Sequence, residues 1–452
     1  MNCKTLYVRI PRLFSIALIL FALLLVVIQP PVARAAAITV NSTAGTKVTD
    51  GACTLREAIE NANNDAATWP DCAAGSGADI ISLPSGATIT LLVVDNGAGT
   101  VNANGLPAIT SDITINGNDA IIERSSAGGA PNFRIFQVLG GATLTLNNAT
   151  VRNGRANDGA PGSGGGYGGG IRNNGTLNVN NSTISGNRTG DGGWGGGGGG
   201  IGNAGTLNIT NSTISGNRTG NGSSGAGGFG GGILSESGML NLTNSTLTGN
   251  TTGNGASWDG FGGGVSLSNS SANITNCTIY NNTAGALSSW GGGIYREGTG
   301  ALYVTSTTVA GNTANNGGGV FGNGGTSTLK NTIVANNTAS PDSNCGRANG
   351  GTIVNGGNNL DSGTSCGWGS INGSMSNTNP LLGALANNGG PTQTMALLPG
   401  SPAIDGVTYL PPNGSPSTDQ RGVARPQGVR HDVGAYEFGG SLYYLPFIRR
   451  SP

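Results

Sequence analysis

The densest group of chemically able side chains in this sequence lies near its carboxyl end: Asp405, Asp419, Arg421, Arg425, His431, Asp432 and Glu437. An adjacent His–Asp pair such as His431–Asp432 could supply the base and orienting carboxylate of a nucleophilic triad. No serine or cysteine partner can be assigned to it, so the set is expected to brace a loop-rich domain. Five further carboxylates, Asp158, Asp191, Glu236, Asp259 and Glu297, are scattered, mostly in variable loops, and are not paired in one register. Hydrolysis or elimination on a polysaccharide needs clustered carboxylates with Arg, Lys or His beside them. The calcium-binding GGxGxD pattern, the nucleophile elbow, the Walker loop and zinc-ligand spacings do not occur. The expectation is a chain with no catalytic residue, no cofactor and no metal ligand.

Aromatic residues offer binding chemistry instead. Tyr167, Phe229, Phe261 and Trp290 each stand four residues before an aliphatic residue that follows GGG, and Trp194 is displaced by three residues in a longer glycine run. If the segments that carry them stack, the rings align into a row at a loop edge. Such a row can shield a corner, or it can be a platform for sugar rings, which stack on aromatic faces. Glycines beside it would let a ligand approach the backbone.

What must position these residues is an internal repeat between 168 and 336. Each copy begins with GGG and an aliphatic residue, at Ile171, Ile201, Ile233, Val265, Ile294 and Val320. Each ends with an aliphatic residue and an asparagine three positions on: Ile184/Asn187, Ile214/Asn217, Leu247/Asn250, Ile279/Asn282, Val309/Asn312 and Ile333/Asn336. Between them Leu177/Val179, Leu207/Ile209, Leu240/Leu242, Ala272/Ile274 and Leu302/Val304 alternate with polar residues, the period of a strand. The second member of each pair lies five residues before the closing aliphatic residue, and the sixth copy is contracted and breaks that register. The stretch from the closing asparagine to the next copy varies from 8 to 16 residues. A rigid block with one variable loop is what a coil with a free surface loop produces. The chain is therefore read as all-β: a right-handed parallel β-helix, three short strands per coil, with a short amino-terminal capping helix and a loop-rich carboxyl-terminal domain.

Stacked coils would turn Asn187, Asn217, Asn250, Asn282, Asn312 and Asn336 into a ladder of amides that also accepts a left-handed turn. Asn181, Asn211, Asn244 and Asn276 form a second column expected to act likewise. Cys277 stands where other copies have Ser182, Ser212 and Ser245, and is expected to be a buried, inert side chain. Thr54 and Glu57 make a capping box for a short helix with Leu55, Ala58, Ile59 and Ala62 on one face.

Lys4, Arg9 and Arg12 precede an apolar run from Leu13 to Ile28, and Ala33-Arg34-Ala35 is a small-x-small site, the pattern of a secretory signal peptide. Removing it leaves 17 basic and 21 acidic groups and a formal charge of −4. Charged residues are only 9% of the chain, so nothing favours nucleic acid or anionic membranes as partners. Cys53 and Cys72, and likewise Cys345 and Cys366, are about twenty residues apart, and export predicts two local disulfides.

The segment Cys53-Thr54-Leu55-Arg56-Glu57-Ala58 resembles the motif of the CSLREA domain, with Thr in place of the usual Ser. Strands expected around Ile113–Ile115, Ile121–Ile122, Ile135–Val138 and Leu144–Leu146 read as looser early coils. After Cys366, Asn379-Pro380-Leu381-Leu382-Gly383, Asn388-Gly389-Gly390-Pro391, Ser401-Pro402-Ala403-Ile404-Asp405, Asp419-Gln420-Arg421-Gly422 and Val433-Gly434-Ala435-Tyr436-Glu437 are similar in order to the choice-of-anchor Q domain. The repeats are similar to those of right-handed β-helix proteins, including chlamydial polymorphic outer membrane proteins. These resemblances imply fold and location more than activity. They divide the chain into a signal peptide (1–35), an amino-terminal cap (36–78), the β-helix (79–375, regular over 168–336), an anchor-type domain (376–440) and a tail (441–452) that is either a sorting signal or a last strand. The leading expectation is a non-catalytic, secreted or surface-displayed adhesion or envelope protein. Its partners would be surface glycans or envelope components, and it would have no membrane span once the signal is removed. The alternative is a carbohydrate-active enzyme, lyase- or hydrolase-like, with a degenerate site. Oligomeric state is not legible.

Overall fold

The alternating segments form the strands they predict. A computed structural model describes residues 35–285, 287–408 and 415–439. The expected signal peptide, apart from its last residue, and the carboxyl-terminal tail lie outside the described residues. A representative coil has strands Ile201–Asn203, Thr206–Thr210 and Thr213–Ser215. Each pairs in parallel with its equivalents one coil away: Ile201 aligns with Ile171 and Ile233, Leu207 with Leu177 and Leu240, Ile214 with Ile184 and Leu247. The product is an all-β parallel solenoid of about nine turns. One eight-stranded sheet lines one side, and a 19-stranded sheet carries the other two strands of each turn. This is consistent with the right-handed winding that parallel crossovers favour. The inward aliphatic residues lose essentially all contact with solvent, each contributing about 1.5–3 kcal/mol of burial.

The coil of Leu144, expected to be looser, keeps the register of the repeats, whereas the pairing of the coil before it shifts register between Asn116 and Ala120. Leu144 aligns with Leu177, Leu146 with Val179 and Val151 with Ile184, within a strand that runs unbroken from Thr143 to Arg152. The glycine triplets are a backbone requirement. Gly168, Gly198 and Gly230 have φ of 63°, 70° and 67°, and a Cβ on Gly169 would lie 2.4 Å from the Gly199 carbonyl oxygen of the next coil.

A buried amide ladder runs Asn187, Asn217, Asn250, Asn282 and Asn312, each Nδ2 donating to the next Oδ1 at 2.9–3.0 Å. It then continues through Asn337 and Asn344 and ends on the buried carboxylate of Asp361. The sixth rung is thus Asn337, not Asn336. Val334, not Ile333, aligns with Val309, so the aliphatic-x-x-Asn spacing falls one residue later. Asn336 instead has φ 57°, the left-handed turn that Gly186, Gly216, Gly249 and Gly311 hold elsewhere. The rungs themselves do not adopt that conformation. The second column does: Asn181, Asn211, Asn244 and Asn276 have φ of 47–52° and turn the corner between strands rather than form a ladder. A different ladder lies on the outer face, where Asn208 donates to Asn178, Asn241 to Asn208 and Asn273 to Asn241.

The helix Leu55–Asn64 carries the reciprocal Thr54/Glu57 capping box. Disulfides join Cys53 to Cys72 and Cys345 to Cys366. Cys277 is fully buried, and burial pushes its thiol up to about 12. It should resist alkylation in the native state and react stoichiometrically once the chain is unfolded, as mass spectrometry would show. Native labelling at neutral pH would contradict this placement. The carboxyl-terminal segment, which includes the hairpin Leu382–Ala386 and Thr394–Leu397, lies against the flank of the stack. Its Gln420 meets Thr246 and Thr278, and the Ala435 amide donates to Thr308 Oγ1.

Candidate functional site

The carboxyl-terminal polar set comes together, but as a brace. Arg425 and Glu437 form a fully buried ion pair at 3.1 Å. Arg421 pairs with Asp419 at 2.7 Å and lies 3.6 Å from the Tyr436 ring centroid. Asp419 accepts the Glu437 amide, and Asp432 accepts those of Asp405 and Phe438. Burial pushes Asp432 up to about 6 and holds the His431 imidazole below its ordinary value. No serine or cysteine hydrogen-bonds the His431 ring among the described residues. Each carboxylate in the set sits at a junction between loops, Asp405 Oδ1 accepting the Arg430 amide.

The aromatic residues divide into two groups. Phe229, Phe261 and Trp290 stack ring on ring at 4.9 and 4.8 Å, and the stack continues to Phe321 at 5.1 Å. Tyr295 packs on Phe261 at 4.9 Å. Phe261, Tyr295 and Phe321 are buried, so this part of the row shields the coil corner. Tyr167 and Trp194 are different: they are 37% and 56% exposed.

The reason is a gap in the stack. In the coil of Ile201 the position four residues back is Gly197, so that coil contributes no ring. A slot of about 200 Å³ opens there, between Tyr167 and Phe229, with Leu234 on its floor and Trp194 at its rim. Gly225 of the next coil permits this, because a Cβ there would strike the Trp194 indole at 2.2 Å.

The polar wall of the slot was not anticipated. Glu236 and Glu297, expected from sequence to be unpaired in register, occupy one row, two coils apart, with Ser268 between them. Ser268 Oγ donates to Glu297 Oε1 and the Tyr295 hydroxyl to Glu297 Oε2, both at 2.9 Å. Burial raises the Tyr295 phenol, and the neighbouring Glu297 charge adds to the shift. Arg172 reaches across the intervening coil to Glu236 at 3.3 Å, and its guanidinium lies 5.4 Å from the Tyr167 ring centroid. The missed signal was positional. Glu236, Ser268 and Glu297 each stand three residues after the aliphatic residue that follows GGG. Asp158 and Asp191 lie in a separate loop-side cleft, and Asp259 is buried.

Among the described residues no group of three or more His, Cys, Asp or Glu side chains could hold a metal ion. No protein-family model, curated protein or solved structure matches this chain. The resemblances at its two ends therefore rest on their motifs alone.

Proposed function

We propose that this protein is a secreted, surface-displayed β-helix that binds glycan in the slot opened by Gly197, and that it is an adhesion or envelope protein rather than an enzyme. One observation carries the reading. A regular ladder of rings omits one member, and the vacancy has aromatic faces on both sides and a wall of carboxylate and hydroxyl groups, with Arg172 paired to its Glu236. Apolar ring faces with polar groups at the edge match a sugar, whose C–H face stacks and whose hydroxyls hydrogen-bond. Export is supported by the signal-like start and by two disulfides. No helix among the described residues is long and apolar enough to cross a membrane. Surface attachment is supported by the carboxyl-terminal motifs similar to choice-of-anchor Q domains, and the amino-terminal end by its likeness to CSLREA.

Trp194→Ala should weaken binding about tenfold, the value of one lost stacking face, with an unchanged melting temperature. Phe261→Ala should do the reverse, lowering stability by about 3 kcal/mol or more because its ring packs against three others, those of Phe229, Trp290 and Tyr295. A glycan array followed by calorimetry on the wild type and both variants reads this directly. Equal binding by Trp194→Ala, or no glycan retained by the wild type, ends the proposal.

A second reading has one observation in its favour. Two coil steps place the backbones of Glu236 and Glu297 about 9.6 Å apart, near the separation of carboxylates in inverting glycosidases. Against it, both Glu297 oxygens are already engaged, by the Ser268 and Tyr295 hydroxyls. New reducing ends that vanish in Glu236→Gln would favour the enzyme.

A further inference from the structure

Beside the slot, and sharing Tyr167 and Glu236 with it, is a second cavity of about 270 Å³ lined by Val101, Arg134, Gly164, Gly165, Gly166 and Arg172. Arg134 is 1% exposed, among the largest fully buried side chains of the protein. Its Nη2 donates to the Val101 carbonyl oxygen at 2.6 Å. Its Nε and Nη1 have no hydrogen-bond partner among the described residues. An interior guanidinium with two idle nitrogens, three N–H groups, is costly unless something comes to meet it. Burial and the nearby Arg172 charge hold Arg134 down to about 10, so it is still a cation at neutral pH.

The charges around this cavity do not balance. Two guanidiniums, Arg134 and Arg172, face one carboxylate, Glu236, and that carboxylate is bound to Arg172. The cavity wall opposite is nearly bare backbone. A Cβ on Gly166 would lie 2.6 Å from the Val101 oxygen and 2.9 Å from the Ala156 Cβ, so no larger residue fits there.

We infer that this cavity is an anion subsite, and that the glycan of the slot is an acidic one whose charged group is taken by Arg134 and Arg172. The inference rests on the glycan-binding reading of the slot. A planar carboxylate suits a guanidinium fork, since two parallel N–H···O bonds form at once. A sulfate ester offers the same charge and acceptor oxygens. The shared chemistry is a sugar ring stacked at Tyr167 with an anionic substituent directed at Arg134.

The test is titration calorimetry of the full chain with three probes: oligogalacturonate, its methyl ester, and a sulfated oligosaccharide of similar length. At least one anionic probe should bind about tenfold or more tighter than the neutral ester, the worth of one charge-assisted pair. Arg134→Met keeps the volume and removes the charge, and it should erase that preference while leaving the ester's affinity intact. Arg172→Gln, at a more exposed position, should reduce the preference and guards against misfolding of the buried variant. Which anionic probe wins identifies carboxylate or sulfate as the natural group. If the ester binds as tightly as both anions, or if Arg134→Met and Arg172→Gln retain the preference, the anion subsite is refuted. The slot reading then stands or falls separately on Trp194→Ala with the ester. If no probe and no arrayed glycan binds, both are lost.

Discussion

Glu437→Ala should release the carboxyl-terminal segment from the flank of the solenoid, at a cost of about 3–5 kcal/mol. Both partners of the Arg425–Glu437 pair are fully buried, so truncating the acid leaves a buried cation without its ion-pair partner. Glu437 also accepts the backbone amides of Gln427 and Asp432 at 2.9 and 3.0 Å, and these would lose their partner together. The loss propagates to the interface. Arg425 donates to the Gly434 carbonyl at 2.7 Å, and the adjoining amides of Gly434 and Ala435 dock on Asn331 and Thr308 of the coils. Limited proteolysis should therefore cut between 376 and 438 in the variant well before the repeats are touched. A thermal melt should separate an early transition from that of the stack. Cleavage and melting identical to wild type would show that the segment is held by something else. Asp432 adds a pH signature. Its folded-state value is about 6, above an unfolded value near 4. From about pH 4 to about 6 the folded form holds a proton that the unfolded form has released. Its contribution is thus fully present at low pH and is lost as pH rises through that window. Asp432→Asn should flatten that dependence.

How far such features can be read from sequence depends on whether the repeat encodes them. The inward aliphatic columns and five ladder rungs are legible because each copy restates them. The sixth rung is ambiguous for a local reason: Ile333-Val334-Ala335-Asn336-Asn337 offers two aliphatic residues and two asparagines in succession, and either register satisfies the pattern. Only the neighbouring coil, through Val309, decides it. The aromatic row was visible, but residue type could not separate Trp194 from Trp290. Their fates differ because the second meets Phe261 and Phe321 in adjoining coils, whereas the first stands three residues before the ring position, which Gly197 holds in its coil, and lies over Gly225. Glu236 and Glu297 were within reach of alignment, since their spacing from the preceding glycines is the same. Arg134 was not. It belongs to an early coil outside the repeat, and only folding brings it to the glycines at 164–166. Nor does a threonine such as Thr308 announce that a segment more than a hundred residues later will cover it.

The inner ladder gives the sharpest contrast between residues that look alike. Asn250→Ala should destabilise the protein by about 3–5 kcal/mol, because each buried group left without a partner costs about 1–3 kcal/mol. Asn250 Oδ1 accepts both the backbone amide and the Nδ2 of Asn217 at 3.0 Å, and its own Nδ2 donates to the Ile214 carbonyl and to Asn282. Removing it breaks four contacts in a row sealed from water, where a half-satisfied network is worse than none. Asn208→Ala is the matched control. It also sits in an amide ladder, between Asn178 and Asn241, but that row lies on the outer face, where water replaces what is lost. Its cost should stay within about 1 kcal/mol. Denaturant melts of the two variants measure the difference, and equal costs would mean that burial does not govern the ladder. The same assay resolves the sixth coil. Asn337→Ala should resemble Asn250→Ala in direction, whereas Asn336→Gly places at a left-handed position the residue that four other coils already use there, and should be tolerated or slightly favourable. The inverse result would return the rung to Asn336 and shift that strand by one residue, turning its inward side chains outward.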